Sequence, residues 1–170
     1  MDHAEILSEL QILHPDAFGW AVSCAAGDWH RGQDVLQVAY AKAVRGTVRF
    51  DGRSSFKTWW FGVIRFTALE EARRSRRWLA FLDRWRAQPE TLETTTAPVT
   101  DDLELKALAA ALSELSERQR EVLHLTFYQR LSLSEAAEVM HVSIGSARQH
   151  YERGKRRLRE ILLTWRAIHE

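Results

Sequence analysis

From Leu133 to Trp165 the apolar residues recur in a pattern that suits helices and not strands. Leu133, Ala136, Ala137 and Met140 share one face of a short helix. Ile144, Ala147, Tyr151, Leu158, Ile161, Leu162 and Trp165 share one face of a long helix, at steps of three, four and seven. Between them His141-Val142-Ser143 interrupts the period. Ser132 to Arg159 therefore reads as a helix-turn-helix. The second helix can cross the first closely only over a small residue, which Ala137 supplies. The turn falls at His141, and Val142 is the apolar anchor. Glycine adopts a left-handed turn at least cost, and histidine is among the better-tolerated alternatives. Ser132 or Ser134 is placed to cap the first helix.

The outward positions of the second helix are Ser143, Ser146, Arg148, Gln149, His150, Glu152 and Arg153, followed by Lys155, Arg156, Arg157 and Arg159. Most of these side chains donate hydrogen bonds to base edges or phosphates, as a helix in the major groove requires. The bland alternative is a solvated basic face. A basic cluster alone leaves the two even, and the helix-turn-helix spacing favours DNA.

Helical periodicity also dominates the rest of the chain. Ile6, Leu10 and Leu13 form a stripe that ends at His14-Pro15-Asp16. Phe18, Ala21, Val22 and Ala25 form a second, closed by Gly27-Asp28. Leu36, Ala39, Tyr40, Ala43 and Val44 form a third, closed by Gly46. Phe50 to Ser55 reads as a loop, and Phe56, Trp60, Val63 and Thr67 open a long helix. Leu105, Leu108, Ala109 and Leu112 predict another helix. Ser116 with Gln119 fits a capping box for the next, whose inner face is Val122, Leu123, Thr126 and Phe127.

Net charge is only +1, but its distribution is segregated. Arg73, Arg74, Arg76 and Arg77 form one basic cluster and Arg148 to Arg159 another. Between them Gln88 to Glu104 carries Glu90, Glu93, Asp101, Asp102 and Glu104 and no Lys or Arg. Pro89 to Asp102 also lacks an apolar stripe. The expectation is an all-α protein of two small helical domains, residues 1–87 and 103–170, joined by a flexible acidic linker, 88–102. The helix-turn-helix lies in the second domain.

Several function classes are disfavoured. No stretch approaches the ~20 apolar residues of a membrane span. The N-terminus carries Asp2, Glu5 and Glu9 rather than a basic flank, so no secretory signal is expected. The sole cysteine, Cys24, cannot form an internal disulfide. These features predict a cytoplasmic chain without membrane insertion. Cys24 and His30 are too few ligands for a structural zinc site, so no metal or cofactor is expected. No phosphate-cradling loop, nucleophile elbow or zinc-protease helix is present, so a nucleic-acid-modifying enzyme ranks last.

Leu115-Ser116-Glu117-Arg118-Gln119-Arg120-Glu121-Val122, Leu133-Ser134-Glu135-Ala136-Ala137 and Val142-Ser143-Ile144-Gly145-Ser146-Ala147-Arg148 resemble region four of extracytoplasmic-function sigma factors of bacterial RNA polymerase. Arg31 to Lys42, Phe50-Asp51-Gly52, Ser55-Phe56-Lys57-Thr58-Trp59, Arg65 and Ala68-Leu69-Glu70-Glu71-Ala72-Arg73-Arg74 are similar to region two of the same family. The resemblance covers roughly residues 10–80 and 103–163, in the family's order.

The resemblance implies a transcription initiation factor with no catalysis of its own. Asp34, Gln37, Val38 and Lys42 would dock on the clamp of core RNA polymerase. Phe50, Asp51, Gly52, Arg53, Ser54, Ser55, Phe56, Lys57, Trp59, Arg65, Arg73 and Arg74 would engage the minus-ten element, the loop capturing a flipped base beside aromatic stacking surfaces. Ser143, Ser146, Arg148, Gln149, His150, Arg153 and Arg156 would read the minus-thirty-five element. The acidic linker would occupy polymerase channels that nucleic acid later fills. The partners implied are core polymerase, promoter DNA and an anti-sigma factor, with the free chain a monomer. Val38 stands where the family often has Glu, and Arg65-Phe66 where an Arg-Asn pair is common, which implies altered clamp contacts and promoter preference.

Trp59 and Trp60 are about 100° apart on a helix, so they face differently. Trp60 shares the stripe of Phe56 and Val63 and is expected in the core. Trp78, Leu82 and Trp85 lie at steps of four and three. They read as a stripe that either packs on its own domain or meets a regulatory partner. The competing function is a stand-alone helix-turn-helix regulator, which predicts a dimer, a palindromic site and a sensing domain.

Overall fold

The computed structural model describes residues 2–83 and 103–169. These residues form helices and no strand, as the periodicity predicts. The chain divides into two compact units, Met1–Ala97 and Pro98–Glu170. Of the expected linker, the described residues include none before Leu103, so residues 88–102 lie outside them.

The first unit comprises α1 (His3–Ile12), α2 (His14–Cys24), α3 (Trp29–Val44) and α4 (Phe56–Asp83). An Asp2–Glu5 capping box starts α1. α1 ends at Ile12 with Leu13 as its C-cap, just before His14-Pro15-Asp16, as expected. His14-Pro15-Asp16 also open α2, because proline fits a first turn, where its missing N–H has no intrahelical role. Asp28 caps α3 by accepting from the Arg31 amide at 3.0 Å.

The core gathers around Trp20, Trp60, Phe61 and Ile64, all fully buried. The Trp20 indole Nε1 donates to the Phe61 carbonyl at 3.0 Å, and the two rings stack 6.1 Å apart. This bond explains why α2 turns a different face inward. The expected stripe was Phe18, Ala21, Val22 and Ala25, but the buried residues are Ala17, Trp20 and Ala21. A tryptophan has the larger apolar surface, and here its one polar group finds a buried acceptor, so it wins the core position. Val44, expected inside, is 52% exposed, and α3 instead buries Val35, Leu36, Ala39 and Ala43. Tyr40 bridges to His14, its hydroxyl 2.8 Å from Nδ1, and burial raises its phenol above the ordinary value.

Gly32 explains how α3 lies so close to α2. A Cβ there would meet the Val22 Cα and Cγ2 at 2.7 Å. Backbone cannot move aside as a side-chain tip can.

The second unit comprises α5 (Leu103–Ser113), α6 (Glu117–Leu123), a π-helical turn (His124–Tyr128), α7 (Leu133–Met140) and α8 (Ile144–His169). Capping boxes start α6 at Ser116–Gln119 and α7 at Ser132–Glu135. The π turn inserts an extra residue into the helical period and rotates the positions within and after it. Leu125 is therefore fully buried, whereas Phe127, expected inward, is 64% exposed. Thr126 turns its hydroxyl back to the Val122 carbonyl at 2.8 Å. On α5 the buried positions are Ala107 and Ala111, followed by Leu115, rather than Leu108 and Ala109. A spacing of four carries that face onto the start of α6.

The helix-turn-helix forms as expected. Ala136, Ala137, Val139 and Met140 are buried on α7, and His141 takes φ 51°, ψ 49°. Ala147 and Gly154 are buried on α8, whereas Ile144 at its first turn is 51% exposed. A Cβ on Gly154 would meet Gln119 Cβ and Leu123 Cδ1 at 3.2 Å, so α8 lies tight against α6 there.

Gly32→Ala should destabilise the first unit by about 2–3 kcal/mol through overpacking. Urea unfolding followed by tryptophan fluorescence reads this directly. A change below about 0.5 kcal/mol, the scale of an ordinary surface substitution, would mean that α2 and α3 are not so close.

Candidate nucleic-acid interface

In the second unit α8 begins at a defined point. Ser143 Oγ accepts from the Ser146 amide at 3.1 Å and lies 2.9 Å from Ser146 Oγ. Both serines expected to meet DNA thus also form the cap. Beyond it Arg148, Gln149, Arg153 and Arg156 are exposed on one face, and His150 is half-buried beside them. Among the described residues none of these three arginines is held in an ion pair.

Lys155 and Arg157 behave differently, whereas Arg159 is exposed like the three arginines. Lys155 pairs with Glu152 at 3.5 Å and sits 4.5 Å over the Tyr151 ring. Arg157 reaches Glu114 at 3.1 Å and Glu160 at 3.8 Å. The basic cluster is therefore divided. Lys155 and Arg157 are engaged by the protein's own acids and a ring, and Arg148, Arg153, Arg156 and Arg159 are left to outside anions.

One residue that sequence reasoning missed positions this helix. Arg118 Nη1 donates to the Met140 carbonyl at 3.2 Å and to Glu121 Oε2 at 3.3 Å. Glu121 is only 5% exposed. The guanidinium thus satisfies a terminal carbonyl of α7 one residue before the left-handed turn. It links α6 to the corner from which α8 departs. The sequence held a signal: Arg118 and Glu121 are three apart within the capping segment.

In the first unit the loop before α4 is a turn made locally. Asp51 accepts from the Arg53 amide at 3.2 Å and pairs with its Nε at 3.1 Å, across Gly52 at φ +76°. Ser55 caps α4, accepting from the Thr58 amide at 3.1 Å, and Ser54 is half-buried beside it. Phe50, Phe56 and Trp59 form one aromatic cluster with centroids 5.1–5.5 Å apart. Trp60 is the core member of the tryptophan pair, and Trp59 is half-buried.

Four of the expected contact residues are engaged within the unit's own packing. Phe56 is 9% exposed, so it floors the cluster rather than offering a stacking face. Arg65 is 4% exposed, so its side chain lies within the packed unit. Lys57 binds Asp16 at 2.8 Å and lies 5.4 Å from the Phe61 ring centroid, tying α4 to α2. Lys42, expected on polymerase, instead donates to Thr67 Oγ1 at 3.1 Å and to the Glu70 carboxylate, tying α3 to α4. Each sits where a helix crossing brings apolar surface or a counter-charge to it, which single-helix periodicity does not reveal. Asp34 and Gln37 remain exposed on α3, with Val38 half-buried. Arg73 and Arg74 are exposed on α4, Arg74 only 4.0 Å from Glu71. Trp78 is 60% exposed. The Leu82 side chain and Trp85 lie outside the described residues. Among the described residues no three His, Cys, Asp or Glu side chains converge to hold a metal, and no helix is long and apolar enough to cross a membrane.

The two units match two separate family descriptions. Residues 11–78 match Sigma-70 region 2 and residues 111–160 match Sigma-70, region 4. The chain is 25% identical over 146 residues to the ECF RNA polymerase sigma factor SigW of Bacillus subtilis, covering 80% of this chain and 78% of that one. It is 29% identical over 142 residues to SigX of the same organism, covering 78% and 71%. Among solved structures it is similar to the sigma factor RpoE of Bartonella quintana, determined in complex with the anti-sigma factor NepR. The TM-score is 0.73 at 24% identity, covering 93% of this chain and 96% of that one. It is also similar to CnrH in complex with the cytosolic domain of CnrY, with a TM-score of 0.65 at 21% identity, covering 96% and 90%. With both regions in their order on one helical chain, the protein belongs to the extracytoplasmic-function sigma factors of the sigma-70 family.

Proposed function

We propose that this chain binds core RNA polymerase in the cytoplasm and selects promoters through two separate DNA surfaces. It acts by binding energy, not by catalysing a reaction. The observation that carries the reading is the division of charge on α8, where Arg148, Arg153 and Arg156 point outward beside Gln149 with no counter-ion among the described residues. Arginine and glutamine are side chains that pair bidentately with guanine and adenine edges. Residues Ser143 to Arg156 form the minus-thirty-five surface, of which Arg156 lies furthest along α8 and suits a phosphate.

In the first unit, Phe50 to Ser55 with Trp59 holds an unpaired base of the minus-ten element, and Arg73 and Arg74 follow the backbone. Asp34, Gln37 and Val38 meet the polymerase clamp. Lys42 and Lys57 act through position: they hold α3 and α2 against α4 and so place those surfaces. The domain limits proposed are 1–87 and 103–170, with 88–102 as an acidic linker.

The free chain is a monomer whose release from an anti-sigma factor sets its activity. The similar RpoE structure is of a complex with an anti-sigma factor, and the CnrH structure is of a complex with the cytosolic domain of CnrY. The exposed Trp78 offers an aromatic anchor for one.

Run-off transcription tests the whole reading. Core RNA polymerase with this chain should initiate at discrete sites on a genomic fragment library, and the chain alone should not protect DNA. A stable dimer that footprints a palindrome without polymerase would instead make it a stand-alone regulator.

Arg148→Ala and Gln149→Ala should each cost about tenfold or more in upstream promoter affinity, the scale of one bidentate base contact, with polymerase binding unchanged. Arg156→Ala should weaken binding on all sequences and lower the salt slope by about one. Loss of polymerase binding in any of the three would contradict the assignment.

A further inference from the structure

We draw no further inference here: the strongest candidate, the exposed aromatic patch of Phe127 and Tyr128 on the π turn of the second unit, where Phe127 stacks on Tyr151, carries nothing, because nothing in the structure shows what covers it.

Discussion

Where α3 crosses α2, a Cβ at Gly32 would lie 2.7 Å from the Val22 backbone, and where α8 crosses α6 one at Gly154 would lie 3.2 Å from two side chains. These close approaches set how deep each small helical unit can bury its apolar faces. Small domains have little interior to spare. Bringing helix backbones together lets Trp20 reach the Phe61 carbonyl, and lets α8 lie against α6 while Arg118 secures the end of α7. Functional surfaces in both units are therefore consequences of tight crossings elsewhere. Residues outside the proposed DNA surfaces decide where the residues proposed to face DNA stand.

The same packing sorts the charges. Lys42 and Lys57 are drawn into helix crossings by Glu70 and Asp16, and Arg157 is drawn to Glu114. Such partly exposed pairs bring only modest stability, but those of Lys42 and Lys57 join α3 and α2 to α4. Among the exposed cations, two groups are clustered: Arg148, Arg153, Arg156 and Arg159 on α8, and Arg73 to Arg77 toward the end of the described part of α4. A nearly neutral chain thereby presents two cationic surfaces. Net charge would have hidden both.

The all-helical class, the helix-turn-helix and the capping serines were legible in the sequence because they depend on local period and local hydrogen bonds. Ser116 and Ser132 cap as their spacing implies, and Trp60 rather than Trp59 enters the core. The errors share a different cause. Phe127 points outward because a π turn breaks the period. Trp20 displaces Val22 because its acceptor lies forty-one residues away on another helix. Arg65, Lys57 and Lys42 look like surface cations until the crossing helices are in place. The family resemblance located the candidate surfaces, but only the packing separated outward side chains from those that hold the helices together.

The central claim is that promoter choice arises from two DNA surfaces that act only on polymerase. Footprinting one promoter with the free chain and with the holoenzyme tests it most directly, using hydroxyl radicals for protection and permanganate for melting. The account predicts no specific protection by the free chain. With polymerase it predicts an upstream protected duplex segment and a separate downstream melted segment. A palindromic footprint from the chain alone, or protection without melting in the holoenzyme, would contradict it.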